Sequence, residues 1–454
     1  MAHALLRSQD TSTPEGRARE RYRRVALSVA SGVVGRGVGA AVGVLTAPLL
    51  LSYLGKERFG LYSAITGTVV WLSLLELGIA GGLVNAISEA NGRGERRTAM
   101  GYVATGLAVL ATVATMAGIV FAIVAGRVPW DAVFGAAGHI PSAEVRWAVI
   151  AAVLAVLLGI PLVVVPAAYA GLQRAYVANV FATITSGATL LMVWLSVRIR
   201  LTLPALIGVV YGAVAAVGLS NLLLLLREET PGLRALAAHV SRRAWQRISR
   251  TSVPLCAYQL GALMVNQSQL FILTHTSTLA TTAEYAVIIR IVQIFSGLVI
   301  FTTSAFFPAY REAMERGDRP WVQEGFRRMV VARVSLAMAF AAVLILAGNQ
   351  LLGLWLQRDD MRFSSALWAV LGAHIVAGAW VTAHSELLTV LDRIWVQVGL
   401  VAGNGIVTIL LTLWLSPRFG VLGVLAAATF TTVIGWTWLF PLLTRSILSP
   451  RRHP

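Results

Sequence analysis

The chain has 454 residues, 57% of them hydrophobic and 13% charged, with a mean hydropathy of +0.75; no soluble domain of this length stays dissolved with that balance. The net charge of +17 does not indicate a nucleic-acid partner, because the arginines alternate with apolar spans instead of gathering on one soluble face. One cysteine, Cys256, excludes an intrachain disulfide and a cysteine-based metal site, and no metal or cofactor is expected.

With about 20 apolar residues as the unit of a membrane crossing, the chain is expected to be an all-α polytopic membrane protein of about twelve transmembrane helices. They fall near 25–54, 61–86, 100–126, 147–170, 177–197, 203–226, 253–275, 283–308, 329–349, 364–388, 395–415 and 421–446. The first span is too long for a signal-peptide core and is expected to stay as helix 1. The connectors are too short for a folded external domain, which argues against a membrane glycosyltransferase or polymerase. No Gly-rich Lys-Ser/Thr loop is present, so ATP hydrolysis is not expected and no catalytic residues are assigned.

The basic residues gather in alternate connectors. With both termini in the cytoplasm, the clusters Arg17 to Arg24, Arg93 to Arg97, Arg242 to Arg250, Arg311 to Arg328 and the tail at Arg451 and Arg452 all lie inside. An internal repeat runs through this plan. Trp194-Leu195-Ser196-Val197-Arg198 ends helix 5 and Trp414-Leu415-Ser416-Pro417-Arg418 ends helix 11, after the short basic turns Gln173-Arg174-Ala175-Tyr176 and Asp392-Arg393-Ile394-Trp395. Such repeats predict two six-helix bundles around a central cavity. The expected division is a basic cytoplasmic arm (1–24), an N-terminal bundle (25–226), a basic amphipathic linker on the inner leaflet (227–252), a C-terminal bundle (253–446) and a cytoplasmic tail (447–454).

The polar residues inside the spans carry the candidate chemistry, since a charge at that depth costs at least about 2.5 kcal/mol. In helix 1, Arg36 is flanked on its face by Gly32, Gly39, Ala40 and Gly43, and reads either as an anion-binding arginine in a groove of small residues or as the ion-pair partner of Glu76. In helix 8, Arg290 shares a face with Gln293 and Gly297; two guanidinium groups suit the oxygens of a diphosphate. Asn266, in the amide-rich run to Gln269, either binds sugar hydroxyls or holds helices together. Glu76, Glu386 and His374 are the groups that could couple transport to an ion, each by taking up a proton or, for the acids, a cation. Glu386 lies near the inner rim, where water could also reach it. Arg333, close to the inner end of helix 9, is expected to reach out to the headgroups. The turn Arg358-Asp359-Asp360 is read as a solvated external loop.

The opening hairpin adds a family resemblance. Leu54-Gly55-Lys56-Glu57-Arg58-Phe59-Gly60-Leu61-Tyr62, followed by Glu76-Leu77-Gly78, is similar to the Leu-Gly-x-x-x-Phe-Gly-x-Tyr turn and acidic Leu-Gly step of polysaccharide and O-antigen flippases, within the multidrug/oligosaccharidyl-lipid/polysaccharide exporter superfamily. That family often has Asp where this chain has Glu76. The resemblance implies a secondary transporter in a bacterial cytoplasmic (inner) membrane. It would flip an undecaprenyl-diphosphate-linked oligosaccharide from the inner to the outer leaflet, its polyprenyl tail in the membrane lipid, alongside a polysaccharide polymerase and export proteins. The alternatives in the same superfamily are a drug or cation antiporter, whose cavity is expected to be acidic, and a lipid II flippase, which usually has fourteen helices.

Overall fold

The computed structural model describes residues 14–229, 239–303, 318–358, 360–390 and 394–448. These form α1 (Pro14–Val69), a 3₁₀ turn (Val70–Glu76), α2 (Ile79–Gly92), α3 (Arg96–Ala125), α4 (Trp130–Val133), α5 (Ser142–Gly159), a second 3₁₀ turn (Ile160–Val163) and α6 (Val164–Gly171). They continue as α7 (Ala175–Arg198), α8 (Leu203–Glu229), α9 (Arg242–Asn266), α10 (Ser268–Thr276), α11 (Leu279–Thr303), α12 (Arg319–Leu356), α13 (Ser365–Val390), α14 (Ile394–Thr431), a π turn (Thr432–Trp436) and α15 (Leu439–Leu448). No strand occurs among the described residues.

Nine described segments are long and apolar enough to cross a membrane. Two of them, Ala26–Glu76 and Trp395–Thr444, have 51 and 50 residues; at 1.5 Å per residue each would reach about 75 Å, more than twice a hydrocarbon core of about 30 Å. Each is interrupted at a glycine in the left-handed region, Gly55 (φ 74°) and Gly420 (φ 54°), which a side chain disfavours. At Gly420 the chain doubles back. A Cβ on Gly423 would stand 2.5 Å from the Leu415 carbonyl oxygen, and the hydroxyls of Thr408 and Thr431 lie 2.8 Å apart, whereas a continuous helix would separate that second pair by about 35 Å. In the first hairpin the expected polar turn at 55–60 is shorter than the sequence implies, because the helical path resumes directly after Gly55. Of the amphipathic stretch expected between the halves, 227–229 belong to the end of α8, and from Arg242 it is already the start of α9. Asp392 and Arg393, in the second basic turn of the repeat, lie outside the described residues.

The chain forms two compact units, one of residues 1–45, 72–129 and 143–256, the other of 46–71, 130–142 and 257–454. In the first unit, α1 meets α7 through small residues. Gly32, Gly35 and Gly39 face Asn179, Thr183 and Ser186, and Asn179 Nδ2 donates to the Ser28 carbonyl at 2.9 Å, the close approach that small residues permit in lipid. One end of this unit is braced by charge. Arg96 donates to the Glu228 carbonyl at 3.1 Å, Arg174 pairs with the Glu228 carboxylate at 2.9 Å, and Arg247 with Glu89 at 2.6 Å. The Arg247 hydrogen bond, reinforced by the charges of Arg247 and Arg93, holds the Glu89 carboxyl below the usual carboxylate range.

In the second unit the connectors near 56, 139, 276, 360 and 416 meet at one end. Lys56 pairs with Asp360 at 3.2 Å, His139 approaches Glu57 at 4.0 Å, and the Thr276 and Ser416 hydroxyls share a hydrogen bond of 2.6 Å. The repeated Trp-Leu-Ser-x-Arg ends have one local structure: Arg198 lies over the Trp194 ring at 5.3 Å and Arg418 over Trp414 at 4.9 Å, and Ser196 and Ser416 are both buried.

Gly60 is held by a neighbouring backbone. A Cβ there would stand 1.9 Å from the Leu279 carbonyl oxygen and 3.3 Å from the Ala283 nitrogen, so Gly60→Ala has to push α11 away from α1. The expected result is a loss of folded protein, read as a fall in detergent-solubilised, monodisperse material; Gly92→Ala, where nothing lies within 4 Å, serves as the tolerant comparison. Equal yields of the two variants would show that this contact does not hold the unit together.

Candidate functional site

Polar groups lie within several of the described spans. The first surrounds Arg36 in α1. Its side chain is exposed, and among the described residues it makes no hydrogen bond or ion pair, with Glu76 or any other acid. Two of the small residues read as a groove around it, Gly32 and Gly39, are occupied, and with Gly35 they carry the α7 contact, because lipid offers little drive for association and helices there pack through small side chains. Arg36 sits beside that seam.

The second is a break in the chain at Glu76. The carboxylate ends the 3₁₀ turn Val70–Glu76; Leu77 (φ 53°) and Gly78 (φ 67°) are both left-handed, and the helix restarts at Ile79. Gly78 also lets α9 come close, since a Cβ would stand 2.4 Å from the Ser252 carbonyl oxygen and 2.8 Å from the Cys256 nitrogen. A left-handed leucine is a strained choice, and discontinuous helices with strained backbone mark ion and substrate sites in transporters. Glu76 has no ion-pair partner among the described residues.

The third group lies in the second unit, between α11 and α13. A cavity of about 290 Å³ is lined from α11 by Val292, Phe295 and Ser296 and from α13 by His374, Thr382 and Glu386. With Gly378 between the first two, the lining residues on α13 recur every fourth residue, which places them along one face. His374 Nδ1 is buried without a hydrogen-bond partner among the described residues. Glu386 is half-buried, and its Oε2 lies 2.9 Å from Nη1 of Arg333 on α12.

Arg333 overturns the reading made from its depth. It is 1% exposed and does not reach the headgroups. It is enclosed where Phe326, Met329 and Val330 of α12 pack with Ala383 and Leu387 of α13. Pairing with Glu386 explains why: a guanidinium that finds a carboxylate inside the protein avoids the longer path to water. The signal was present in the sequence. Helices 9 and 10 are consecutive and antiparallel, and Arg333 and Glu386 lie at similar depths from their inner ends. His384, which the sequence did not single out, is also buried here, with Nδ1 2.9 Å from the Trp380 carbonyl oxygen and its ring edge-on to Phe326.

Arg290 Nη1 donates to Gln293 Oε1 at 3.0 Å, so these two candidates are together. They occupy a different face of α11 from the cavity, about 140° around the helix from Val292, Phe295 and Ser296 at 3.6 residues per turn. The side chain of Asn266 lies outside the described residues. No cluster of three or more metal-ligating side chains occurs among the described residues.

Comparison with known proteins adds the following. A family model described as a polysaccharide biosynthesis protein matches residues 26–314, more than half of the chain. A protein of Salmonella typhimurium named as an O-antigen transporter is 39% identical over 54 residues, 12% of this chain and 13% of that protein. A counterpart from Salmonella typhi is 29% identical over 90 residues, 20% of each. The chain thus spans only a small part of the length of the curated relatives it matches. Among solved structures, an inward-facing multidrug resistance transporter of the MATE family and MOP superfamily matches with a TM-score of 0.72 at 13% identity, over 93% of this chain and 100% of the other. A MOP superfamily transporter from Pyrococcus furiosus, in which reversed polarity of the binding pocket suggests a different function, matches with a TM-score of 0.64 at 14% identity, over 94% and 96% of the two chains. These likenesses show a shared transporter fold.

Proposed function

The chain belongs to the polysaccharide biosynthesis protein family of membrane transporters, and from that premise we propose that it flips a polyprenyl-diphosphate-linked oligosaccharide from the inner to the outer leaflet of a bacterial inner membrane. One observation carries the residue-level reading: Arg36 lies in a membrane span, exposed and without an acidic partner among the described residues. A guanidinium facing hydrocarbon is costly, so this position requires water or an anion beside it. A diphosphate supplies that anion in the form a planar guanidinium binds best. Arg290, held by Gln293, is the second phosphate contact in this reading, and Asn266 a contact for sugar hydroxyls. The polyprenyl tail stays in membrane lipid, and a polymerase with export proteins takes the product.

The orientation belongs to the same proposal, with twelve passes and both termini in the cytoplasm. The braced connectors around Arg96, Arg174 and Arg247 support a common side for them. Reporter fusions after residues 94, 240 and 320 are expected to be cytoplasmic and one after 136 external; an external signal at 240 would overturn the two-half plan.

Glu76, at its helix break, is the coupling acid in this reading, and Glu386 and His374, each on its own, are the further coupling candidates. An ion arriving at Glu386 has to compete with Arg333 at 2.9 Å, whereas Glu76 has no such rival among the described residues. Glu76→Gln is expected to abolish the dependence of transport on the driving ion gradient while the protein reaches the membrane normally. Unchanged gradient dependence would make Glu76 structural.

A drug or cation antiporter is the second reading, favoured by the fold of the MATE neighbours. Against it, the acid of the α11–α13 cavity already holds a cation from its own chain, and Arg36, within the first span, is positive.

A further inference from the structure

Beyond the transport path, we infer that the end of the second unit formed by α12, α13 and the turn between them is a binding site for the phosphate headgroup of a membrane lipid. A cavity of about 640 Å³ opens there, lined by Asn349, Gln350, Arg358, Arg362, Ser365 and Trp368, with Leu346 and Leu354 at its margin. Its volume falls within the range of small-molecule sites.

The turn that carries the arginines is fixed in place. Arg358 grips both oxygens of Asp360 at 3.0 Å and donates to the Leu51 carbonyl at 3.3 Å, while Lys56 donates to the Asp360 carbonyl at 2.8 Å. These contacts hold the Asp360 carboxyl below the usual range although desolvation opposes them. The loop read from the sequence as simply solvated is therefore tied to the Gly55 turn. Asp359 lies outside the described residues. Asn349 is committed as well: its amide bonds both the nitrogen and the carbonyl of Phe363, and its Oδ1 accepts from Trp368 Nε1. This fixes the start of α13 beside the cavity.

Arg362 is left over. It is exposed on the cavity wall and makes no hydrogen bond or ion pair among the described residues, while the Asp360 carboxylate is shared by two other cations. An unspent guanidinium near the positive end of a 26-residue helix attracts an anion. The margin identifies the anion as lipid-borne, because Leu346 and Leu354 are 81% and 77% exposed and two large aliphatic side chains so open suit acyl chains better than water. A phosphate held by Arg362 and Gln350, with its chains along Leu346 and Leu354, satisfies both halves of the cavity. The site stands on geometry in the second unit alone and does not depend on which substrate is flipped.

The test is direct binding to the purified full-length protein in detergent, by native mass spectrometry or calorimetry, with short-chain phosphatidylglycerol, short-chain phosphatidylcholine and inorganic phosphate as probes. The expected result is tighter binding of phosphatidylglycerol than of the other two, weakened at least tenfold by Arg362→Glu, partly by Arg362→Lys, and unchanged by Arg198→Glu, an arginine of the first unit. Gln350→Ala is expected to weaken it less. Equal binding of phosphatidylglycerol by wild type and Arg362→Glu overturns the site. Equal binding of inorganic phosphate and phosphatidylglycerol overturns its lipid character, and equal binding of the two lipids overturns the charge recognition. Absence of flipping by the wild-type protein with this binding intact would count against the transport reading and leave the headgroup site standing.

Discussion

Replacing Arg36 or Arg290 by alanine is expected to reduce flipping at least tenfold while leaving the protein at normal levels in the membrane, so that the lipid-linked oligosaccharide accumulates in the inner leaflet. The normal level follows from position. Arg36 is exposed and bonds no described residue, and Arg290 bonds Gln293 on its own helix, so neither alanine removes a contact between elements. The tenfold loss corresponds to about 1.4 kcal/mol, at the low end of a charge-assisted hydrogen bond to an anion. Lysine is expected to restore part of the activity, because it keeps the charge but loses the planar fork. Measured by glycan export and by leaflet-resolved labelling of the lipid-linked intermediate, full export by both alanine variants would reassign the two arginines to roles outside substrate binding.

The largest effect on stability is expected at Arg333. Removing one member of a buried ion pair leaves the other charged in a low dielectric, which costs about 3 to 5 kcal/mol. Arg333→Ala strands Glu386 beside the α11–α13 cavity and empties space against Met329 and Val330. The protein is expected to lose thermal stability in detergent and to accumulate poorly. Adding Glu386→Gln should recover much of that loss, since no buried charge then remains uncompensated, and the non-additivity measures the coupling of the pair. Additive losses in the double variant would mean that the pair contributes nothing beyond packing. In the same variants the pair can be separated from coupling: if Glu386 binds a driving ion only after leaving Arg333, the recovered double variant is stable and insensitive to the gradient.

What the sequence made legible was set by period and composition. Apolar runs pointed to membrane-spanning helices, of which nine segments long and apolar enough to cross stand among the described residues, and the residues carrying the family resemblance were informative because backbone geometry demands them. Gly55 and Gly78 take left-handed conformations and Gly60 touches the Leu279 backbone, so these glycines mark how the hairpin folds more than what it binds. Connectivity was harder. A break such as Gly55 or Gly420 costs one residue, and hydropathy cannot distinguish a bend from a short polar turn. Contacts across helices were the least legible. Arg333 was placed from its own depth, although its position was decided by Glu386 on the next helix, and of the small residues read as a groove beside Arg36, Gly32 and Gly39 are met by α7. The brace around Asp360 could not be read because its partners, Lys56 and Leu51, lie some 300 positions away in the chain.

Movement of the lipid itself tests the central claim. Purified protein reconstituted into vesicles with a polyprenyl-diphosphate-linked oligosaccharide, followed by the fraction of saccharide that an added glycosidase or lectin can reach, is expected to expose the pool enclosed in the inner leaflet over time, with Arg36→Ala slower by at least tenfold. Vesicles whose enclosed pool stays as inaccessible with the wild-type protein as without it, under every imposed ion gradient, would contradict the proposal.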